Sequence, residues 1–368
     1  MPAQSILAFL FATLFPLGFL AILASRNLYR TGKFHYNILT LLWGGVAYLL
    51  ASHLNPAIQN LGGATRDQMV RFIAPVVEET LKCLIVLYLV RRRDFVYIMD
   101  GIAYGFGAGI GFAVFENFEY IGARPDAAIL LAVSRVFSTN IMHATGTAMI
   151  GSALGHSRLN RDTSRVFFAL GGILFAIAAH MGFNSLVNSS AALVFAFVYA
   201  ALGAVIISFV VRYGFRKAAL AFQQNLGMLD RVTKNESAIV NRVQTLDVIL
   251  KPVIEVFGEQ EADKVRQLII LQAQLGLQRE NLNKVRDAAL RKGISEEVDK
   301  LKARAEAVRK SVNTYCMLYV RGLFPENNIP LWALIQQRVP ATGTGQAGGG
   351  VWAALEKRTS EAKKTGGP

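Results

Sequence analysis

The chain has 368 residues, 53% of them hydrophobic and only 17% charged, with a mean hydropathy of +0.35. Apolar residues in that excess, gathered into long runs, exclude an ordinary soluble enzyme and indicate a membrane-embedded body. The formal net charge of +14 is unevenly placed: up to Val211 there are 14 Lys/Arg against 9 Asp/Glu, and from Arg212 onward 25 against 16. The sequence carries no nucleic-acid motif, no phosphate-cradling glycine loop and no zinc-type cysteine spacing, so the basic balance is assigned to topology and anionic lipid. Cys83 falls in an apolar run and Cys316 in the charged part, which predicts two reduced thiols rather than a disulfide.

About 20 apolar helical residues cross a bilayer core of ~30 Å. Seven stretches qualify, near residues 5–24, 38–54, 70–90, 97–121, 127–155, 166–186 and 191–211. The first lacks a basic leader and is followed by Arg26 and Arg30, so it reads as a spanning helix, not a signal peptide. Loop charge alternates. Arg26, Arg30 and Lys33 follow the first stretch, Arg91–Arg93 the third, Arg158, Arg161 and Arg165 the fifth, and Arg212, Arg216 and Lys217 the seventh. The loops between carry only Arg66 and Arg124, or nothing. The positive-inside rule then places the N-terminus outside and the C-terminal region in the cytoplasm. The expected fold is all-α, a polytopic helix bundle of about seven spans over residues 1–215.

Beyond it, residues near 232–257, 262–291 and 295–320 space their apolar side chains as helices do, with Gly258 and Gly293 between them. They predict a cytoplasmic helical hairpin or bundle over 216–340, whose amphipathic faces imply regulation or homo-oligomer formation. Residues 341–368 open on a Gly/Thr/Ala-rich stretch and read as a flexible tail.

The informative residues are polar groups inside the spans, each of which must face protein or a wet cavity. Around a helix Lys82 falls about 40° from Glu78 and about 60° from Glu79, so the three share one face. One ammonium cannot neutralise two carboxylates, and a plain Glu78–Lys82 ion pair leaves Glu79 unexplained; a tuned general acid or base explains it. Asp100 starts the fourth stretch and is assigned to a cap or to the Arg91–Arg93 loop. Gly101, Gly105 and Gly109 form a small-residue ridge suited to close helix packing. Glu116 and Asn117 lie farther along that run, with Glu119 nearer the rim. His143 is mid-span, with Arg135 and Asn140 in the same stretch, while His156 is placed at the cytoplasmic boundary. His180 and Asn184 stand one turn apart, an arrangement able to bind an oxyanion. By residue rise, Glu79, Glu116 and His180 fall in the outer half of the membrane and His143 near the middle, which predicts one hydrated cavity open toward the extracytoplasmic side.

Taken in order, Glu78-Glu79-x-x-Lys82, the glycine-rich Gly105–Gly111 leading to Phe115-Glu116-Asn117, His143, and His180-x-x-x-Asn184 resemble the PrsW family of bacterial intramembrane proteases, relatives of the CAAX-prenyl-protein endopeptidases. The resemblance covers about residues 70–184. Lys82 stands where the wider superfamily more often has an arginine one position on, which brings the chain nearer PrsW.

The resemblance implies hydrolysis of a peptide bond in a membrane-anchored protein, such as an anti-sigma factor, near the extracytoplasmic side of a bacterial cytoplasmic (inner) membrane. It implies Glu78 or Glu79 as the base that activates water, His143 as its assistant, His180 with Asn184 as oxyanion stabilisers, and Lys82, Glu116 and Asn117 as supports. The cofactor is left open between none and one divalent metal such as zinc, for which Glu79, Glu116, His143 and His180 are the candidate ligands. No HExxH motif is present, and the reading leans to a metal-free site. A proton- or cation-coupled transporter and a non-catalytic scaffold are the alternatives. Inverted repeats, which many transporters show, are not apparent.

Overall fold

The structure, a computed structural model, describes residues 3–25, 31–159, 164–187, 189, 191–225, 246–285 and 287–322. Among the described residues there are helices and no strand. The chain divides into two compact units, one of residues 1–220 with 277–298, the other of 221–276 with 299–368.

The first unit is the apolar body. Its helices are α1 (Ala3–Ser25), α2 (Phe34–Gly62), α3 (Ala74–Leu89), α4 (Ile98–Ala123), α5 (Ala128–Arg135), α6 (Ile141–Leu159), α7 (Ser164–Leu186) and, as far as residue 220, α8 (Ala191–Asn225). Among the described residues, six segments are long and apolar enough to cross a membrane, with α5 and α6 joined as one. The stretch expected as a third span stands apart from these six. It folds as α3 behind a π-helical turn at Met69–Ile73, and Arg71, Glu78, Glu79 and Lys82 give it four charges. A helix so charged is tolerable at membrane depth only because it turns Glu78, Glu79 and Lys82 inward, while Arg71, half-exposed before its start, pairs with Asp67 at 2.7 Å. Glu79 and Lys82 are fully buried, while Val76, Leu84 and Tyr88 face outward.

Helix α4 forms the centre. A Cβ on Gly101, Gly105 or Gly109 would collide with the backbone of α6 at Gly151, Thr147 and His143, respectively. On another side of α4, Gly44 of α2 meets the Ala108 carbonyl and Gly111 meets that of Leu41. The ridge expected from sequence is therefore a packing seam, the device that lets apolar helices approach closely without a hydrophobic driving force. Gly105→Ala should cost about 1–3 kcal/mol of unfolding free energy in detergent, the usual toll of an overpacked contact, and so lower the unfolding midpoint. Gly171→Ala, which meets nothing within 4 Å, should leave the midpoint unchanged or raised. Equal midpoints for the two variants would contradict the seam.

Asp100 caps α4. Its Oδ2 accepts from the amides of Val96 (2.9 Å) and Tyr97 (3.0 Å), and its Oδ1 from the Thr31 hydroxyl (2.6 Å). His156, expected at the boundary, is buried with its ring against Phe168 and Tyr213. Residues 277–298 belong to this unit because their polar side chains satisfy the loop after α3. Gln278 donates to the Arg93 carbonyl and Asn281 to that of Val96, both at 3.1 Å. Arg93 Nη1 pairs with Glu296 at 3.2 Å.

The second unit contains α9 (Leu246–Phe257), the first part of α10 (Glu259–Lys284), the last part of α11 (Ala288–Ser311) and α12 (Thr314–Gly322). Leu250, Val253, Val265, Leu268, Cys316 and Val320 are buried in it. The Asn313 amide donates to Glu261 Oε2 at 2.9 Å. Burial raises the Glu261 pKa, but this bond and the one from Lys264 outweigh it and hold the carboxyl below its usual range. Both cysteines are free and buried, and burial pushes the Cys316 thiol up to about 12. The expected helix start near 232 and the tail at 341–368 lie outside the described residues.

Candidate functional site

Glu78, Glu79 and Lys82 share α3, yet the fold sends them different ways. Lys82 Nζ donates to Glu79 Oε1 at 2.6 Å and to His143 Nδ1 on α6 at 2.7 Å. Its ammonium also lies 4.6 Å from the centre of the Phe112 ring. The ion pair is thus Glu79–Lys82 at i,i+3, not the Glu78–Lys82 pair weighed from sequence. His180, from α7, places Nδ1 2.9 Å from the same Glu79 oxygen. Because a carboxylate only accepts, the His180 proton sits on Nδ1 and leaves Nε2 turned the other way. That nitrogen lies 3.8 Å from Glu78 Oε2. The two imidazoles meet edge to face at 4.8 Å.

A cavity of about 470 Å³ opens beside them, and Glu78, Glu116, His143, His180 and Asn184 line it. Glu79 and Lys82 do not; they stand behind the imidazoles and hold them. The remaining walls include Gln59, Arg66, Glu119 and Val187. These lie near the end of α2, before α3, near the end of α4 and just past α7, so the mouth is at the end of the bundle away from Arg91–Arg93. Glu119, expected at the rim, is there.

Glu116 is held by a polar chain that sequence reasoning only partly anticipated. Arg135 Nη2 lies 2.8 Å from Glu116 Oε2, and its Nε donates to Asn117 Oδ1 at 2.7 Å. Asn117 in turn donates to Asn140 at 2.9 Å, within a second π-helical turn at Val136–Asn140. The Arg135 guanidinium stacks 3.9 Å over Tyr120. His143 Nε2 completes the link, 3.2 Å from Glu116 Oε2. With Lys82 donating to Nδ1, the ring proton of His143 is on Nε2 and goes to Glu116. Arg135 was visible in the sequence as a charge within a span, a signal that marks function, but nothing there named its partner. Asn55, 3.4 Å from Glu78 Oε1, gave no signal at all. Asn184 spends an amide hydrogen on the Val70 carbonyl at 2.8 Å, which ties α7 to the first π-turn.

The donor set suits a divalent cation. One ligand atom each from Glu78, His143 and His180 lie within 4.8 Å of one another. Two imidazoles and a carboxylate are a common zinc set, and a tetrahedral ion draws its ligands to about 3.4 Å apart. The Glu79 carboxylate on His180 Nδ1 is the outer partner that orients such a ligand. The carboxylate in this group is Glu78, whereas the sequence reading had offered Glu79 or Glu116.

Residues 33–215 match the family model described as PrsW family intramembrane metalloprotease. No curated protein and no solved structure matches the chain. The match spans α2 to α8 as far as residue 215 and so contains every wall of the cavity. The expectation of a metal-free site meets two findings that weigh the other way, the word metalloprotease in that description and the Glu/His/His group.

Proposed function

We propose, from the match of residues 33–215 to the PrsW family intramembrane metalloprotease model and from the multi-pass membrane body around it, that the cavity hydrolyses a peptide bond of a membrane-anchored protein at the bilayer's extracytoplasmic side. The observation that carries this is the convergence of Glu78, His143 and His180, from three separate helices, on one cavity. With α3 as a seventh crossing, the alternating basic loops put the cavity mouth outside and residues 216–340 in the cytoplasm. An anti-sigma factor in a bacterial inner membrane is a substrate of the right kind, being anchored by a single span.

Glu78, His143 and His180 would hold a divalent cation, which when bound supplies Lewis acidity toward water and the scissile carbonyl. Glu79 fixes His180 through Nδ1, and Lys82 fixes His143 while neutralising Glu79. With Glu78 engaged as a ligand, Glu116 is the cavity-facing carboxylate near the two imidazoles, and it takes the proton of the attacking water and returns it to the leaving nitrogen. Arg135, 2.8 Å from Glu116 Oε2, keeps that carboxylate in place.

The experiment is metal analysis of purified protein alongside cleavage of a reconstituted single-span substrate. Wild type should bind one zinc ion per chain and cut. His143→Ala/His180→Ala should do neither, and Glu79→Gln should bind zinc about 10–100-fold more weakly, as loss of an outer partner does. Full zinc occupancy in the double histidine variant would remove these residues from the site.

A further inference from the structure

Behind the site, two buried oxygens face each other across a glycine. Glu79 is fully buried and Tyr199, on α8, is 4% exposed. Glu79 Oε1 already accepts from Lys82 and His180, while Glu79 Oε2 and the Tyr199 hydroxyl have no hydrogen-bond partner among the described residues. A Cβ built on Gly146 of α6 would stand 3.2 Å from Tyr199 Oη, 3.8 Å from Glu79 Oε2 and 3.6 Å from Ala176 Cβ. The point a side chain would fill at residue 146 therefore lies near both orphaned atoms. One of them is a donor and the other, a carboxylate oxygen, is an acceptor only. The Tyr199 ring is clamped between Phe175 (5.7 Å, stacked) and Phe195 (6.3 Å, stacked), which fixes where its hydroxyl can aim. Glu79, Gly146 and Tyr199 do not line the cavity described above.

We propose that a single buried water sits beside Gly146, accepting from the Tyr199 hydroxyl and donating to Glu79 Oε2, and that Tyr199 thereby acts as a positioning residue for the carboxylate that orients His180. Buried polar groups of this kind are costly when bare, and ordered water at a polar, confined point is the usual remedy. Residue 146 is glycine because a methyl group would take the water's place. The water joins α8, which contributes nothing to the cavity wall, to the hydrogen-bond chain Glu79–His180. The catalytic consequence rests on the protease reading; the water site itself does not.

An experimental structure of the full chain at a resolution that shows solvent tests the site directly. Solvent density within hydrogen-bond reach of both Tyr199 Oη and Glu79 Oε2 is expected in the wild type and should vanish in Gly146→Ala. A dry gap, or a direct Tyr199–Glu79 hydrogen bond, overturns the proposal whether or not the protein cleaves peptides. Kinetics supply the second readout. Tyr199→Phe should lower kcat about 10-fold, the low end of outer-partner losses, with KM within twofold. Gly146→Ala should do the same, and the double variant should be no worse than the more impaired single one, because both remove the same water. Multiplying losses, or a change confined to KM, would mean that the two residues act through packing alone. Should Gly146→Ala fail to fold, Tyr199→Phe, which deletes one oxygen, still decides by its density and its kcat.

Discussion

Glu78→Gln should lower kcat for cleavage of a single-span substrate at least 100-fold while leaving the unfolding midpoint close to wild type. The magnitude follows from the loss of a carboxylate that would hold the cation, which should cost more than the roughly 10–100-fold lost with an outer partner. The intact fold follows from its surroundings. Glu78 is partly exposed to the cavity, and its contacts are a 3.4 Å hydrogen bond from Asn55 and the His180 nitrogen at 3.8 Å. Glutamine keeps the size and can still accept from Asn55, so chemistry is lost and packing is not. The same substitution one residue on should differ in stability. Glu79→Gln removes the charge that Lys82 requires at 2.6 Å, so its signature is a lowered midpoint. Variants with matching profiles would deny the separation of roles between the two neighbours.

Lys82→Met carries the largest expected effect on stability. The Glu79–Lys82 pair has no solvent exposure on either side chain, and removing one partner of such a pair costs about 3–5 kcal/mol because the other charge stays buried and uncompensated. Methionine fills a similar volume against Phe112, which isolates the electrostatic loss. Lys82→Met/Glu79→Gln should recover much of the lost stability, since it buries no lone charge. Denaturant titration in detergent measures both. A single variant as stable as wild type, or a double variant worse than the single, would refute the buried pair as the keystone of α3.

Much of this was legible in the sequence. Spans follow from apolar runs, the seam from Gly101, Gly105 and Gly109, and the cap from Asp100 at the start of a run. The grouping of Glu116, His143 and His180 follows from depth and from the family resemblance, although depth pointed to Glu79 where the structure puts Glu78 with the imidazoles. The direction each side chain takes was not legible. Helical periodicity puts Glu78, Glu79 and Lys82 on one face, but only the positions of α6 and α7 determine that Lys82 reaches His143 and that Glu79, not Glu78, receives it. Asn184 shows the same limit: its spacing from His180 suggested a shared oxyanion site, whereas the π-turn before α3 brings the Val70 carbonyl within its reach. Arg135 was conspicuous as a charge in a span, yet its partners Glu116 and Asn117 lie on α4, and pairing between helices leaves no periodic trace. Residues 277–298 illustrate it again, since their helical pattern reads as part of the C-terminal domain while Gln278, Asn281 and Glu296 are satisfied by the loop after α3.

Mass-spectrometric mapping of the new termini formed when the protein meets a single-span substrate in proteoliposomes, wild type beside Glu78→Ala/Glu79→Ala, reaches the central claim most directly. A cavity built from α3, α6 and α7 predicts one cut, at the membrane level of the cavity mouth, made by the wild type and absent from the double variant. Peptide products accumulating at the wild-type rate in the double variant would show that the hydrolytic groups lie elsewhere.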